Sequence, residues 1–184
     1  GEMIFPAADV SEQISTASKE ASGTGNMKFM MNGALTIGTL DGANIEILRE
    51  VGEENIFTFG LTADEVLNYY QHGGYKSSDY YHHDLRLKKV LDQLLYGLFP
   101  LPREEFEPIF DSLMSYNDEY FLLRDFSSYV KAHECINSTY QNKREWALKS
   151  LHNVAKSGFF TSDRTIRQYA SEIWDIKQRT LHHS

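Results

Sequence analysis

The chain has 184 residues, a length that fits one domain or one large piece of a bigger one. Apolar residues make up 41% of it, enough for a sizeable core, and its net charge of −8 argues against a general nucleic-acid or anionic-membrane surface. No segment approaches the roughly 18 apolar residues of a membrane span, and the first residues lack the basic and apolar regions of a signal peptide. Cys135 is the only cysteine, so an internal disulfide is excluded and a reducing, cytoplasmic compartment is expected.

The first 22 residues show little regular pattern. Ile4 and Phe5 stand before Pro6 and predict the end of a strand that enters a loop, so we expect the chain to begin inside a fold and to be a fragment. Residues 11–22 are polar and small, which predicts a surface loop, or a short helix over residues 10–14. The alternative is an active-site loop that leads into the next stretch, and the composition of that stretch favours this alternative.

Residues 20–32 read Glu-Ala-Ser-Gly-Thr-Gly-Asn-Met-Lys-Phe-Met-Met-Asn and combine a flexible turn with the start of a helix. Gly23 and Gly25 allow backbone angles closed to other residues and a close approach of a ligand. Asn26 is predicted to be the N-cap of the helix. A helix N-terminus presents unpaired N–H groups at the positive end of its dipole, which suits a phosphate. The spacing fits neither the dinucleotide fingerprint nor the Walker loop.

Lys28 stands about one turn into this predicted helix. The helix dipole and the apolar neighbours Met27, Phe29 and Met30 disfavour a charged ammonium there. A lysine kept partly neutral can form a Schiff base, and a phosphate cradle beside such a lysine is the pairing that pyridoxal phosphate needs. Two other interpretations of the residues stay open. One is a phosphate- or nucleotide-binding α/β module with Lys28 as a plain cation, and the other is a helical interaction domain without a ligand.

A strand is predicted next, because residues 35–40 form a short run with β-branched members. The Asp-Gly pair that follows is a hairpin signal, which would make residues 44–48 a second strand. Alternatively, Asn44 caps a short helix with apolar residues at a spacing of three. Residues 56–60 predict a strand in either case. We prefer the β–α–β arrangement, which makes a parallel sheet.

From Thr62 onward the pattern predicts helices. Thr62 and Glu65 form a capping box, and residues 71–79 predict a loop. Pro108 is expected in the first turn of a helix, and Gly158 at a helix end. Apolar residues recurring at spacings of three and four predict further helices over residues 87–98, 106–114, 126–136, 146–155 and 166–174.

The stretch from Glu20 to Lys28, continuing through residues 32–44, resembles the cofactor-lysine signature of the glycogen (α-glucan) phosphorylases. Residues 142–146 and 162–174 are similar to the C-terminus of the same family, so the likeness covers essentially the whole chain. The resemblance implies that Lys28 is the catalytic residue that carries pyridoxal 5′-phosphate. It also implies that the cofactor phosphate is bound by Gly23, Thr24 and Gly25, and the glucosyl unit by Glu20, Ala21, Ser22 and Gly23.

The resemblance further implies an α/β fold, the C-terminal part of a Rossmann-like domain of the GT-B type. In this single piece, residues 1–61 would hold the cofactor loop and strands, and residues 62–184 would be mainly helical. The implied activity releases glucose 1-phosphate from an α-1,4-glucan with inorganic phosphate. The implied partners are the α-glucan, inorganic phosphate, the missing N-terminal half of the enzyme and a second copy in a homodimer. No metal is expected, and the fragment alone is expected to be inactive.

Overall fold

The computed structural model describes residues 1–96, 100 and 102–176, and a three-stranded parallel sheet lies among its helices. The strands, in their spatial order, are β1 (Val10–Gln13), β2 (Leu35–Gly38) and β3 (Phe57–Thr58). The helices are α1 (Ile4–Ala7), α2 (Gly25–Met31), α3 (Ala43–Val51), α4 (Ala63–His72), α5 (Ser77–His83), α6 (Leu85–Leu95), α7 (Glu107–Leu113), α8 (Leu122–Gln141), α9 (Lys143–Lys156) and α10 (Ser162–Glu172). This arrangement agrees with the predicted α/β class and its mainly helical C-terminal part.

The β–α–β interpretation is confirmed, because α3 connects two parallel strands and no hairpin forms between them. Leu35 and Ile37 of β2 are fully buried and pack against Ala132, Ile136 and Trp146 of the helical part. A central strand covered in this way has apolar residues on both faces, which explains its short apolar run in the sequence.

Two predictions for the N-terminal residues are wrong. Ile4 and Phe5 lie in the short helix α1 and do not end a strand. Residues 10–13 form β1 where a loop or a short helix was expected. The residues Ser-Glu-Gln carry no β signal of their own, and their parallel pairing with β2, from Val10 opposite Leu35 onward, stabilises the strand instead.

The helical predictions are largely confirmed. Thr62 and Glu65 form both hydrogen bonds of a capping box at the start of α4, and Pro108 lies in the first turn of α7. The predicted loop 71–79 is shorter than expected, since α4 continues to His72 and α5 begins at Ser77. The last part of the predicted helix 87–98 lies outside the described residues. None of the described helices has both the length and the apolar content needed to cross a membrane.

Candidate functional site

Residues 14–24, called here the cofactor loop, connect the carboxyl end of β1 to the start of α2. Ligands of open α/β sheets bind at the carboxyl ends of the strands, so the loop lies where a binding site is expected. The loop starts beside β2, because the N–H of Thr39 donates to the carbonyl of Gln13 at 3.2 Å and the Thr39 hydroxyl donates to the carbonyl of Ser15 at 2.5 Å. The ends of two neighbouring strands therefore fix the first residues of the loop.

Asp41, in the turn between β2 and α3, holds the middle of the cofactor loop. Its carboxylate accepts hydrogen bonds from the Ser18 N–H at 2.9 Å, the Glu20 N–H at 2.8 Å and the Ser15 hydroxyl at 3.1 Å. Asp41 is only 6% exposed, so these three donors take the place of water around its charge. Sequence reasoning took the Asp-Gly pair as a turn and missed this role.

The residue after Asp41 brings the turn into contact with Ser22. Gly42 has φ +50°, and a Cβ atom at this position would lie 2.6 Å from the carbonyl oxygen of Ser22. The same oxygen accepts the N–H of Ala43 at 2.8 Å. Glycine is therefore required here both by its backbone angle and by the close approach of the loop.

Asn26 is buried and connects α2 to α3. The prediction that it is the N-cap of α2 is wrong. Thr24 is the N-cap, and the helix begins one residue before Asn26. The Asn26 side chain donates to Asn44 Oδ1 at 3.1 Å and accepts the N–H of Met27 at 3.0 Å. Asn44 in turn donates to the carbonyl of Thr39 at 3.0 Å. This chain of amides holds the start of α2 against the end of β2.

The start of the cofactor loop is also held by the helical part of the chain. The hydroxyl of Thr16, a buried residue, donates to the carbonyl of Tyr120 at 2.9 Å. Tyr120 belongs to a turn in which Asn117, Asp118 and Phe121 all have positive φ values. Hydrogen bonds to the Asp118 carboxylate from the Leu123 N–H, at 2.8 Å, and the Tyr75 hydroxyl, at 2.6 Å, stabilise that turn.

The predicted phosphate cradle has free donors. Gly23 has φ +84°, whereas Gly25 has an ordinary backbone angle and space for a side chain. Within the described part of the chain, the N–H groups of Thr24, Gly25 and Asn26 donate to no other protein group. Unpaired donors at the start of a helix are the groups that bind a phosphate. The residues present therefore fit the phosphate of a cofactor.

Lys28 is exposed on α2, and its Nζ lies 5.7 Å from the centre of the Phe5 ring. That ring packs edge-to-face against Phe29 at 4.6 Å. No carboxylate among the described residues forms an ion pair with this ammonium group. Lys28 is therefore available for reaction with an aldehyde.

The predicted sugar-binding residues lie together on the cofactor loop. Glu20, Ala21 and Ser22 are exposed, and the Glu20 carboxylate accepts the Ser22 N–H at 3.5 Å. Their side chains are free to meet a ligand, while the backbone is bound to the neighbouring turn. The described residues contain no cluster of three or more histidine, cysteine, aspartate or glutamate side chains that could hold a metal ion.

Comparison with known proteins identifies the family. The model of the carbohydrate phosphorylase family matches residues 1–176, and the chain belongs to this family. The glycogen phosphorylase of Bacillus subtilis (strain 168) is 65% identical over 96% of the chain, that of Synechocystis is 52% identical over 96%, and the human muscle form is 49% identical over 96%. The matches confirm the resemblance read from the sequence. The chain spans only 22%, 21% and 21% of the length of these three relatives.

Proposed function

We propose that the chain is part of an α-1,4-glucan phosphorylase, a glycosyltransferase that moves a terminal glucosyl unit to inorganic phosphate and releases glucose 1-phosphate. The observation that carries this proposal is the cofactor loop. The loop leads into unpaired N–H groups at the start of α2, and the same helix carries Lys28, which forms no ion pair within the described residues. The chain is also 65% identical to a glycogen phosphorylase. A phosphate site beside a reactive lysine suits a pyridoxal phosphate enzyme.

Lys28 would hold pyridoxal phosphate covalently through its Nζ. The N–H groups of Thr24 and Gly25, with the adjacent Gly23, would bind the cofactor phosphate. When bound, the cofactor would supply a phosphate group that can donate and accept a proton in the reaction. Fixed N–H donors stabilise such a charged group without reorganising during the reaction.

Glu20, Ala21, Ser22 and Gly23 would bind the hydroxyl groups of the glucosyl unit. Glu20 and Ser22 keep their side chains exposed while their backbone is held by the Asp41–Ala43 turn. A backbone fixed in this way positions the sugar toward the phosphate and lowers the entropic part of the barrier.

The remaining parts of the proposal concern the whole enzyme. The chain would form the C-terminal part of a Rossmann-like domain of the GT-B type, with the cofactor loop and strands in residues 1–61 and the helical part in residues 62–184. The N-terminal half of the same enzyme would complete the site. The full-length protein would be a cytoplasmic homodimer.

A chimera tests this function directly. Residues 1–176 replace the corresponding segment of the Bacillus subtilis glycogen phosphorylase, and formation of glucose 1-phosphate from glycogen and inorganic phosphate is measured. We expect an active enzyme in which borohydride reduction attaches the cofactor irreversibly to the peptide that contains Lys28. Lys28→Ala should lose both the label and the activity, because the amine that holds the cofactor is gone.

Lys19→Ala is the matched control, because Lys19 is an exposed lysine of the cofactor loop. Its Nζ lies over the Tyr70 ring, 4.8 Å from the ring centre. The variant should keep both label and activity. A folded chimera without activity, or a label on another lysine, would contradict the proposal. Phosphate-dependent thermal stabilisation without any label would favour the phosphate-binding module instead.

A further inference from the structure

We propose that Asp41 is a positioning residue for the glucosyl site and that, together with Gly42, it shapes the segment Glu20–Ser22 without touching the substrate. The inference deepens the proposed function and rests on it. Sequence reasoning assigned Asp41 and Gly42 to a turn only, and the hydrogen bonds that carry the inference join residues 21 to 26 positions apart.

The Asp41 carboxylate accepts all its hydrogen bonds among the described residues from the cofactor loop. Asp41 is buried, and each of its oxygens accepts from the cofactor loop: Oδ1 from the Ser18 N–H, and Oδ2 from the Glu20 N–H and the Ser15 hydroxyl. Ser18 has φ +76°, a conformation that side chains disfavour. A charged acceptor makes stronger hydrogen bonds than a neutral one and can hold the loop in this conformation.

Gly42 and Ala43 contact the other end of the segment Glu20–Ser22. The Ser22 carbonyl accepts the N–H of Ala43 at 2.8 Å and lies against the Cα of Gly42, where a Cβ would approach it to 2.6 Å. The same Cβ would lie 3.0 Å from Cγ of Glu20. The turn therefore binds the segment at the Glu20 N–H and at the Ser22 carbonyl, two residues apart.

The segment Glu20–Ser22 combines a fixed backbone with exposed side chains. The backbone of Glu20 and Ser22 is held by the turn, while both side chains are exposed and lack strong partners within the described residues. The fixed backbone determines where both side chains begin, and their free polar groups can form hydrogen bonds with a ligand. Asp41→Asn would replace one acceptor oxygen with an NH₂ group, which would face loop donors, and the segment would move.

The test uses the active chimera described above, with Asp41→Asn and Gly42→Ala made separately. The reaction is measured in the direction of glucan synthesis, in which glucose 1-phosphate donates the glucosyl unit and glycogen accepts it. We expect the KM for glucose 1-phosphate to rise and kcat/KM for this substrate to fall by about 100-fold, a typical cost of misplacing a binding group by about 1 Å. The KM for glycogen and the stoichiometry of bound cofactor should not change. A general structural defect would not separate these constants.

Two control variants match the chemistry of the changes at a distance from the site. Asp84→Asn alters a carboxylate that accepts two backbone N–H groups at the start of α6. Gly73→Ala introduces a side chain at φ +69° where no atom lies within 4 Å. Both variants should keep the kinetic constants of the parent chimera.

The outcomes separate the two proposals. An inactive parent chimera overturns the proposed function and this inference with it. An active parent whose Asp41→Asn and Gly42→Ala variants keep the parent's KM for glucose 1-phosphate overturns this inference alone. Loss of cofactor or of the folded state in both variants also overturns it, because the turn would then support the fold in general and not the sugar site.

Discussion

Asp125, in the first turn of α8, is a buried carboxyl that faces a cavity of about 240 Å³. Its Oδ1 accepts the N–H of Leu61 at 3.0 Å. Burial raises the pKa of Asp125 from 3.8 to about 6, and nearby Asp118 and Glu65 add to the increase, while the Leu61 N–H and Arg124 oppose it. The proton is therefore held more tightly in the folded chain than in the unfolded one, and stability depends on pH at this residue.

We predict that the folded chain loses stability as the pH rises past about 4. The unfolded chain releases the Asp125 proton near pH 4 and the folded chain near pH 6, so the free energy of unfolding should fall by about 3 kcal/mol between these values. Asp125→Asn cannot lose a proton and should lack this decrease. Urea denaturation of both proteins from pH 4 to 7 measures it, with the exposed Asp163→Asn as the control for carboxyl loss. Parallel pH profiles for the wild type and Asp125→Asn would contradict the prediction.

At the scale of elements, α2 carries Lys28 and is held from two sides. Met30 of α2 is fully buried among Ile47, Val51 and Ile56. The residue Gly33, just after α2, accepts a hydrogen bond from the Ser150 hydroxyl of α9 at 2.7 Å. The position of α2 therefore depends on α3 and on α9 of the C-terminal part.

Two neighbouring methionines of α2 give a matched pair for this dependence. Met30→Ala should lower the free energy of unfolding by about 2–5 kcal/mol, because it leaves a cavity in a closed cluster. Met31 is 59% exposed, and Met31→Ala should change the free energy by less than about 0.5 kcal/mol. Urea denaturation of the chain measures both. Equal effects of the two substitutions would show that the cluster does not hold α2.

Patterns within one element predicted this fold well, and contacts between elements were not predictable. The apolar run of β2 and the capping box at Thr62 are local signals, and both led to correct elements. β1 has no such signal, because its polar residues depend on the partner strand. The positive φ of Gly23 was predicted from its sequence neighbours, whereas the contacts of Asn26 and Asp41 depend on partners 18 to 26 positions away. The intrinsic propensity of a residue indicates its preferred backbone conformation, but it does not indicate which distant residue will form a hydrogen bond with it.

At the scale of the molecule, the chain carries one part of the proposed site. It spans about a fifth of the length of its relatives, and between residues 14 and 43 its only cations are Lys19 and Lys28. A phosphate substrate is usually held by several cationic or N–H groups. We therefore propose that the groups that bind the substrate phosphate come from the other half of the enzyme.

The corresponding prediction is that the purified 184-residue chain forms no glucose 1-phosphate from glycogen and inorganic phosphate, even with added pyridoxal phosphate. The chimera, measured at the same molar concentration in the same coupled assay, serves as the positive control. Measurable turnover by the chain alone, abolished by Lys28→Ala, would contradict the prediction and would place a complete active site within this chain.

The hydrogen bond between Thr16 and Tyr120 has a consequence for the order in which the cofactor loop is assembled. It joins residues 104 positions apart, whereas the bonds from the loop to Asp41 span 21 to 26 positions. Closing the longer segment costs more conformational entropy. During biosynthesis the ribosome delivers Asp41 long before Tyr120, so the hydrogen bonds from the loop to Asp41 can form before the Thr16 hydroxyl has its acceptor. The hydrogen bond from Thr16 can therefore form only after the turn before α8 has been synthesised.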